Sequence, residues 1–207
     1  MTAALTVLGI LAGLFLLILV IFIVLYNGLV EFREAVKKSL ADIDVQLRQR
    51  LDMIPQLVDA IKGAMSYEQE TLTEVIKARN EALSSLNRIN DANRAGAPVD
   101  QKMFDDLAAK STILQTGLGS LRAVVERYPE LKAVAAIRDL MENITTIENK
   151  INFTRSHYNQ TVQDYETKRS SIPSCAVAIV LPLKFPTYGY YSDAQKEELN
   201  KAPKIQL

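Results

Sequence analysis

Three clusters of polar side chains mark where this sequence could do chemistry. Asp42, Asp44, Arg48, Arg50 and Asp52 crowd one stretch, Lys77, Arg79, Asn80 and Glu81 a second, and Glu148, Asn149, Lys150, Asn152 and Arg155 a third. Carboxylates and guanidinium groups on neighbouring helices pair across their interface and set its register. A carboxylate cluster can also recruit a divalent metal, but di-iron helical proteins do so with Glu-x-x-His pairs, which this chain lacks. Unpaired buried charge is costly, and pairing is the ordinary remedy. The expectation is therefore an interhelical polar network of Asp42, Asp44, Arg48, Arg50, Asp52, Arg79, Glu148, Asn149 and Arg155, with no metal site.

Other signatures of catalysis are missing. The sequence holds no P-loop, no G-x-G-x-x-G after a strand, no H-E-x-x-H and no G-x-S-x-G. His157 is the single histidine and Cys175 the single cysteine, so neither finds a second ligand of its own kind. Gly117 and Gly119 lie in a helical pattern and are read as allowing close helix packing rather than cradling phosphate. No catalytic residue and no cofactor is assigned, and the chain is not expected to be an enzyme. With 24 basic and 24 acidic residues there is no basic field for nucleic acid.

The expected scaffold for these groups begins with a membrane anchor. Residues 1–30 carry no charge, and the stretch from Thr2 to Tyr26 is almost unbroken hydrocarbon. More than about eighteen apolar residues suffice to cross a bilayer as a helix. A cleaved signal would need a basic n-region and a shorter apolar core, so an uncleaved single-pass anchor is expected. Arg33, Lys37 and Lys38 follow it, which places the C-terminal domain in the cytoplasm under the positive-inside rule. Tyr26 and Phe32 suit the headgroup region. Gly9 and Gly13 form a G-x-x-x-G pair that would let a second helix approach, although glycine is common in membrane helices generally.

Beyond the anchor the apolar residues recur at helical spacing. Val36, Leu40, Ile43, Leu47, Leu51 and Ile54 make one stripe, and Leu57, Ile61, Met65, Leu72, Val75, Ile76, Leu83, Leu86 and Ile89 a second. Pro55 separates them, as a reversal or as a kink. The loop Asn90-Asp91-Ala92-Asn93-Arg94-Ala95-Gly96-Ala97-Pro98 precedes a third helix capped by Asp100, with Phe104, Leu107, Ile113, Leu114, Leu118, Leu121, Val124 and Val125 on its stripe. Pro129 opens a long fourth helix from Leu131 through Tyr165, which stops before Pro173. At about forty residues it would span roughly 60 Å. The fold class is all-α: a transmembrane helix over residues 1–30, then an elongated antiparallel four-helix up-and-down bundle over 31–171.

Residues 172–207 form an apolar and then extended, irregular tail packing on or near the bundle. Ten apolar residues from Ser174 to Leu183 are too few to span a membrane. Either they cover one end of the bundle, or Ala176, Val177, Ile179, Val180 and Leu181 make a contact surface for membrane or subunit. Ile205 and Leu207 would point to one side of an extended end.

The polar clusters also carry a resemblance. Tyr26-Asn27-Gly28-Leu29-Val30, then Asp42-Ile43-Asp44-Val45-Gln46-Leu47-Arg48-Gln49-Arg50 and Asp52-Met53-Ile54-Pro55-Gln56-Leu57-Val58, resemble the LemA family of bacterial membrane proteins. Ala78-Arg79-Asn80, the Tyr128-Pro129-Glu130-Leu131-Lys132 junction, Glu148-Asn149-Lys150-Ile151 with Tyr158-Asn159, and Ala202-Pro203-Lys204 continue it in order. An aromatic usual before Asp42 is missing at Ser39-Leu40-Ala41, and the tail lacks a common Gly-Phe-Lys ending. The resemblance implies one N-terminal membrane helix, a four-helix bundle, a place in the bacterial inner membrane and no established enzymatic activity. Some relatives take part in forming magnetosome membranes, and family genes often lie near membrane-bound proteases. The expected function is a membrane-anchored scaffold that forms a homo-oligomer or organises other membrane proteins. Alternatives are an adaptor for a membrane protease and a sensory or ligand-binding bundle.

Overall fold

A computed structural model describes residues 2–64, 69–97 and 99–191, with side chains from Leu5 onward. Among the described residues six helices follow in order: α1 Thr2–Ala64, α2 Gln69–Arg94, α3 Gln101–Arg127, α4 Pro129–Lys132, α5 Ala135–Ser170 and α6 Ser174–Val180. Among the described residues the chain is all-helical, with no strand and one long apolar N-terminal helix.

Pro55 makes no reversal: it lies inside α1, which continues to Ala64. Leu57 and Ile61, read as the start of the second stripe, therefore close the first, and both are fully buried on α1. Met65 and the extended end with Ile205 and Leu207 lie outside the described residues. The third helix begins as expected, with the Asp100 carboxylate accepting from the Met103 N–H at 2.9 Å. Gly96 adopts φ +70° after α2, a left-handed position that suits glycine at a helix end. Pro129 confines Tyr128 to extended backbone, so α3 stops at Arg127.

The fourth helix is shorter than expected at its start. α4 ends at Lys132, where the Val134 and Ile137 N–H groups bond three residues back to Leu131 and Val134. The helix resumes at Ala135. The tail also departs from an irregular course, because Ser174–Val180 is a seven-residue helix. Ile113, placed on a buried stripe by periodicity, is exposed.

The described residues within Met1–Lys38 and Gln160–Pro186 form one compact unit, and those within Ser39–Asn159 and Thr187–Leu207 a second. In the first, the anchor unit, none of the apolar window of α1 is buried against protein. Leu29, Val36, Val162, Tyr165, Val177 and Phe185 are buried there. In the second, the helical unit, the core draws on Ile43, Leu47 and Ile54 of α1, Leu72, Val75 and Leu86 of α2, and Phe104, Leu114 and Leu121 of α3. Ile137, Ile147 and Tyr158 of α5 complete it. Burial of such side chains, at about 1.5–3 kcal/mol each, is what holds the amphipathic helices.

Candidate functional site

Within the helical unit a polar seam joins α1 to α2. Arg48 pairs with Asp44 one turn earlier at 2.9 Å and donates to Asn87 Oδ1 at 2.9 Å. Asn90 Nδ2 donates to the same Asp44 carboxylate at 2.6 Å. Farther along, Arg79 Nε donates to the Leu51 carbonyl at 3.0 Å, and its Nη2 stands 3.4 Å from Asp52. Pro55 has no N–H to return to Leu51, so the Arg79 guanidinium supplies the donor that the helix lacks. Position pairs 44 with 90, 48 with 87 and 51 with 79 run in opposite directions, so α1 and α2 are antiparallel.

The seam continues between α2 and α3. Asp106 accepts from Ser85 Oγ at 2.6 Å and from Arg88 at 2.8 Å. Lys110 pairs with Glu81 at 2.9 Å, and that hydrogen bond holds the Glu81 carboxyl below its ordinary range. At Gly117 the helices come so close that an added Cβ would meet Val75 Cγ2 at 3.0 Å. Asn87, Asn90, Ser85 and Asp106 were not singled out from the sequence. The sequence pattern places Asn90 in the loop, but it is buried in the last turns of α2.

A second group gathers around Arg50, which is only 5% exposed. Burial pushes its guanidinium below the ordinary range, while Tyr191 and Glu148 nearby oppose that shift. Arg50 Nε has no hydrogen-bond acceptor among the described residues. Arg155 lies 5.8 Å above the Tyr191 ring centre, within reach of a cation–π contact. Of the nine expected network residues, Asp44, Arg48, Asp52 and Arg79 thus meet on one seam, Glu148 lies near Arg50, and Arg50 and Arg155 both lie near Tyr191. Asp42 and Asn149 are exposed and join neither group.

Tyr191 belongs to a strap, residues 187–191, laid on the helical unit. Gly189 N–H donates to the Val99 carbonyl at 2.9 Å. Gln101 grips Tyr190 twice, accepting its N–H at 2.8 Å and donating to its carbonyl at 3.0 Å. Asn159 does the same for Tyr191, at 2.9 and 3.1 Å. Two side-chain amides thereby act as the neighbouring strand that a helical protein does not have. Tyr158 donates its hydroxyl to the Gly189 carbonyl at 2.9 Å, and burial raises its pKa, so it stays a donor. Phe104 packs between the Tyr158 and Tyr191 rings, with centroids 5.2 and 5.7 Å away. Gly189 allows the close approach, since a Cβ there would stand 2.6 Å from Gln101 N.

The residues of this seam and strap lie within a stretch that matches a protein-family model, the LemA family, over residues 39–207. This chain belongs to the LemA family. Two curated relatives are similar to it at low identity. Magnetosome protein MamQ 2 of Paramagnetospirillum magneticum is 21% identical over 177 residues, covering 79% of this chain and 64% of the relative. Magnetosome protein MamQ of Magnetospirillum gryphiswaldense is 20% identical over 183 residues, covering 82% and 66%. The chain spans just under two thirds of the length of these relatives. With its uncovered apolar helix, the LemA-family chain is a membrane-associated protein.

Two further features of the LemA-family chain bear on binding. A cavity of about 380 Å³ opens between α3, α4 and α5, floored by Val125 and Met141 and edged by Arg122, Lys132, Arg138 and Glu142. Its size falls in the range of small-molecule sites. In the anchor unit, the five expected contact residues of the tail divide. Val177 is buried and Leu181 half-buried, while Ala176, Ile179 and Val180 face outward. Gly9 and Gly13 have no protein atom within 4 Å of an added Cβ.

Proposed function

We propose that this LemA-family protein is a non-enzymatic, membrane-anchored scaffold that self-associates or organises other membrane proteins. The open Gly9–Gly13 face carries the proposal: two small residues one turn apart, where an added Cβ would meet nothing beyond the helix's own neighbouring backbone within 4 Å, suit close approach of a second membrane helix. The helical unit would close as an antiparallel, up-and-down four-helix bundle built on α1, α2, α3 and α5, stiff enough to present partners in a defined geometry. Arg33, Lys37 and Lys38 after the apolar run favour a single pass through the bacterial inner membrane with the bundle in the cytoplasm. The similarity to magnetosome proteins fits a role at a membrane. No cofactor and no nucleic acid enters this function. A membrane protease among the organised partners is a variant of the same scaffold role.

The deciding experiment is the mass of the full-length protein in mild detergent, by light scattering after size exclusion. A discrete homo-oligomer is expected; a clean monomer at all concentrations would remove self-association. The cavity beside Arg122 favours a second role, as a ligand-binding bundle. That role predicts a rise in Tm with some member of a broad metabolite panel, and no rise across the panel would count against it.

A further inference from the structure

α6 and the residues flanking it turn apolar side chains outward. Ile172, Ile179, Val180 and Leu183 are 89, 76, 65 and 95% exposed, whereas Ser174, Val177 and Ala178 are buried. Exposed apolar groups gathered in this way mark an interaction surface. Their place on the chain says what they meet. The Phe185 ring stands edge-on to the Tyr26 ring, with centroids 5.6 Å apart. Tyr26 closes the apolar run of α1, where an aromatic side chain sits at headgroup level. Arg33 Nη1 donates to the Lys184 carbonyl at 3.1 Å, and Arg169 Nε to the Phe185 carbonyl at 2.9 Å. The segment is therefore tied to α1 at the point where hydrocarbon gives way to the first charges. Lys168 and Lys184 flank the patch, and among the described residues no carboxylate pairs with their ammonium groups. An apolar face with a basic rim is the pattern of a segment lying in a bilayer interface.

We propose that α6 and residues 181–184 form a second membrane contact, seated in the headgroup region of the bilayer that α1 crosses. Ile172, Ile179, Val180 and Leu183 enter the upper acyl chains, and Lys168 and Lys184 meet the headgroup phosphates. Short as it is, α6 does not span; it lies in the interface. The proposal rests on α1 being the span, and its test separates the two.

In full-length protein carrying Cys175→Ser, single cysteines replace Ile179 or Leu183, with Leu14→Cys in α1 and Phe153→Cys in α5 as references. All four native positions are exposed, so a label perturbs no core. Each variant is spin-labelled and reconstituted into phosphatidylcholine–phosphatidylglycerol vesicles, and collisions with oxygen and with a water-soluble nickel chelate are compared. Labels at 14, 179 and 183 should favour oxygen severalfold, and the label at 153 the chelate. If 179 and 183 behave like 153 while 14 stays in lipid, the second contact fails and the anchor stands. If 14 also behaves like 153, the span itself fails and takes the proposal with it. Should protection at 179 and 183 vanish on dilution to one chain per vesicle, a second copy covers the patch and the lipid contact is overturned.

Discussion

Arg79 hydrogen-bonds the carbonyl oxygen of Leu51 at 3.0 Å, across from one helix to the next. Leu51 lies four residues before Pro55, the one position in the interior of α1 that offers its helix no N–H. A carbonyl left bare in a packed seam would cost about 1–3 kcal/mol. The bond therefore does two things at once. It lets α1 continue through a proline, and it sets the height of α2 against it.

Arg79→Met should lower stability by about 1–3 kcal/mol, because the Leu51 carbonyl loses its donor. In a Pro55→Ala background the alanine N–H can answer the same carbonyl, so Arg79→Met should cost less there. Thermal unfolding of the four proteins in mild detergent gives the coupling, expected at about 1 kcal/mol. Strictly additive effects would show that Arg79 does not compensate for Pro55.

Arg50 tests the other polar group. Its guanidinium is buried and held below its ordinary range by desolvation, so the folded state opposes the charge it carries. Arg50→Met keeps the length and removes the charge, and it should leave Tm unchanged or raise it. Arg50→Ala should instead cost about 2–4 kcal/mol through the cavity it opens. A large loss for the methionine variant would mean that the charge itself is structurally required.

The strap can be lifted at one atom. Gly189→Ala puts a methyl group 2.6 Å from Gln101 N and 2.7 Å from Asp100 C, both backbone atoms that cannot rotate aside. The expected loss is about 1–3 kcal/mol, with faster chymotryptic cleavage at Tyr190 and Tyr191. Asn159→Asp preserves shape but removes the donor to the Tyr191 carbonyl, and it should speed cleavage in the same way. Unchanged cleavage in both variants would mean that the amide grips do not hold the strap.

Gly9→Leu with Gly13→Leu should reduce crosslinked oligomer in native membranes while leaving the amount inserted unchanged. An unaltered crosslinking ladder would take the anchor face out of the scaffold model.

Two glycines on α3 separate helix propensity from packing. Gly119 has open space where a Cβ would stand, so Gly119→Ala should stabilise by up to about 1 kcal/mol. A Cβ added at Gly117 would meet Val75 Cγ2 at 3.0 Å, and Gly117→Leu should destabilise by about 1–3 kcal/mol. Equal Tm shifts for the two variants would contradict the close α2–α3 approach.

Much of the fold is legible along the chain. The Asp100 cap and the stop before Pro129 are local effects of one or two residues, and both stand where local chemistry places them. Pro55 shows the limit: its intrinsic preference is to end a helix, and a side chain 24 positions away in another helix overrules it. Ile113 shows another, since periodicity marks a face but not whether a neighbour covers it. Among the candidate site residues, charge type and spacing pointed to Asp44, Arg48, Asp52 and Arg79. Their partners Asn87 and Asn90 carry no charge pattern and stayed hidden.

Side-chain character along the chain is enough to specify an uncharged N-terminal helix long enough to cross a bilayer, and amphipathic helices after it. Both follow from side-chain character repeating along one stretch of chain, at about 100° per residue. Which group answers the Leu51 carbonyl, and where the strap lies, depend on how the helices pack. Those bonds join residues 28 and 89 positions apart. A donor's chemistry can be read from the chain, but its partner is chosen only when packing brings the two within hydrogen-bond distance.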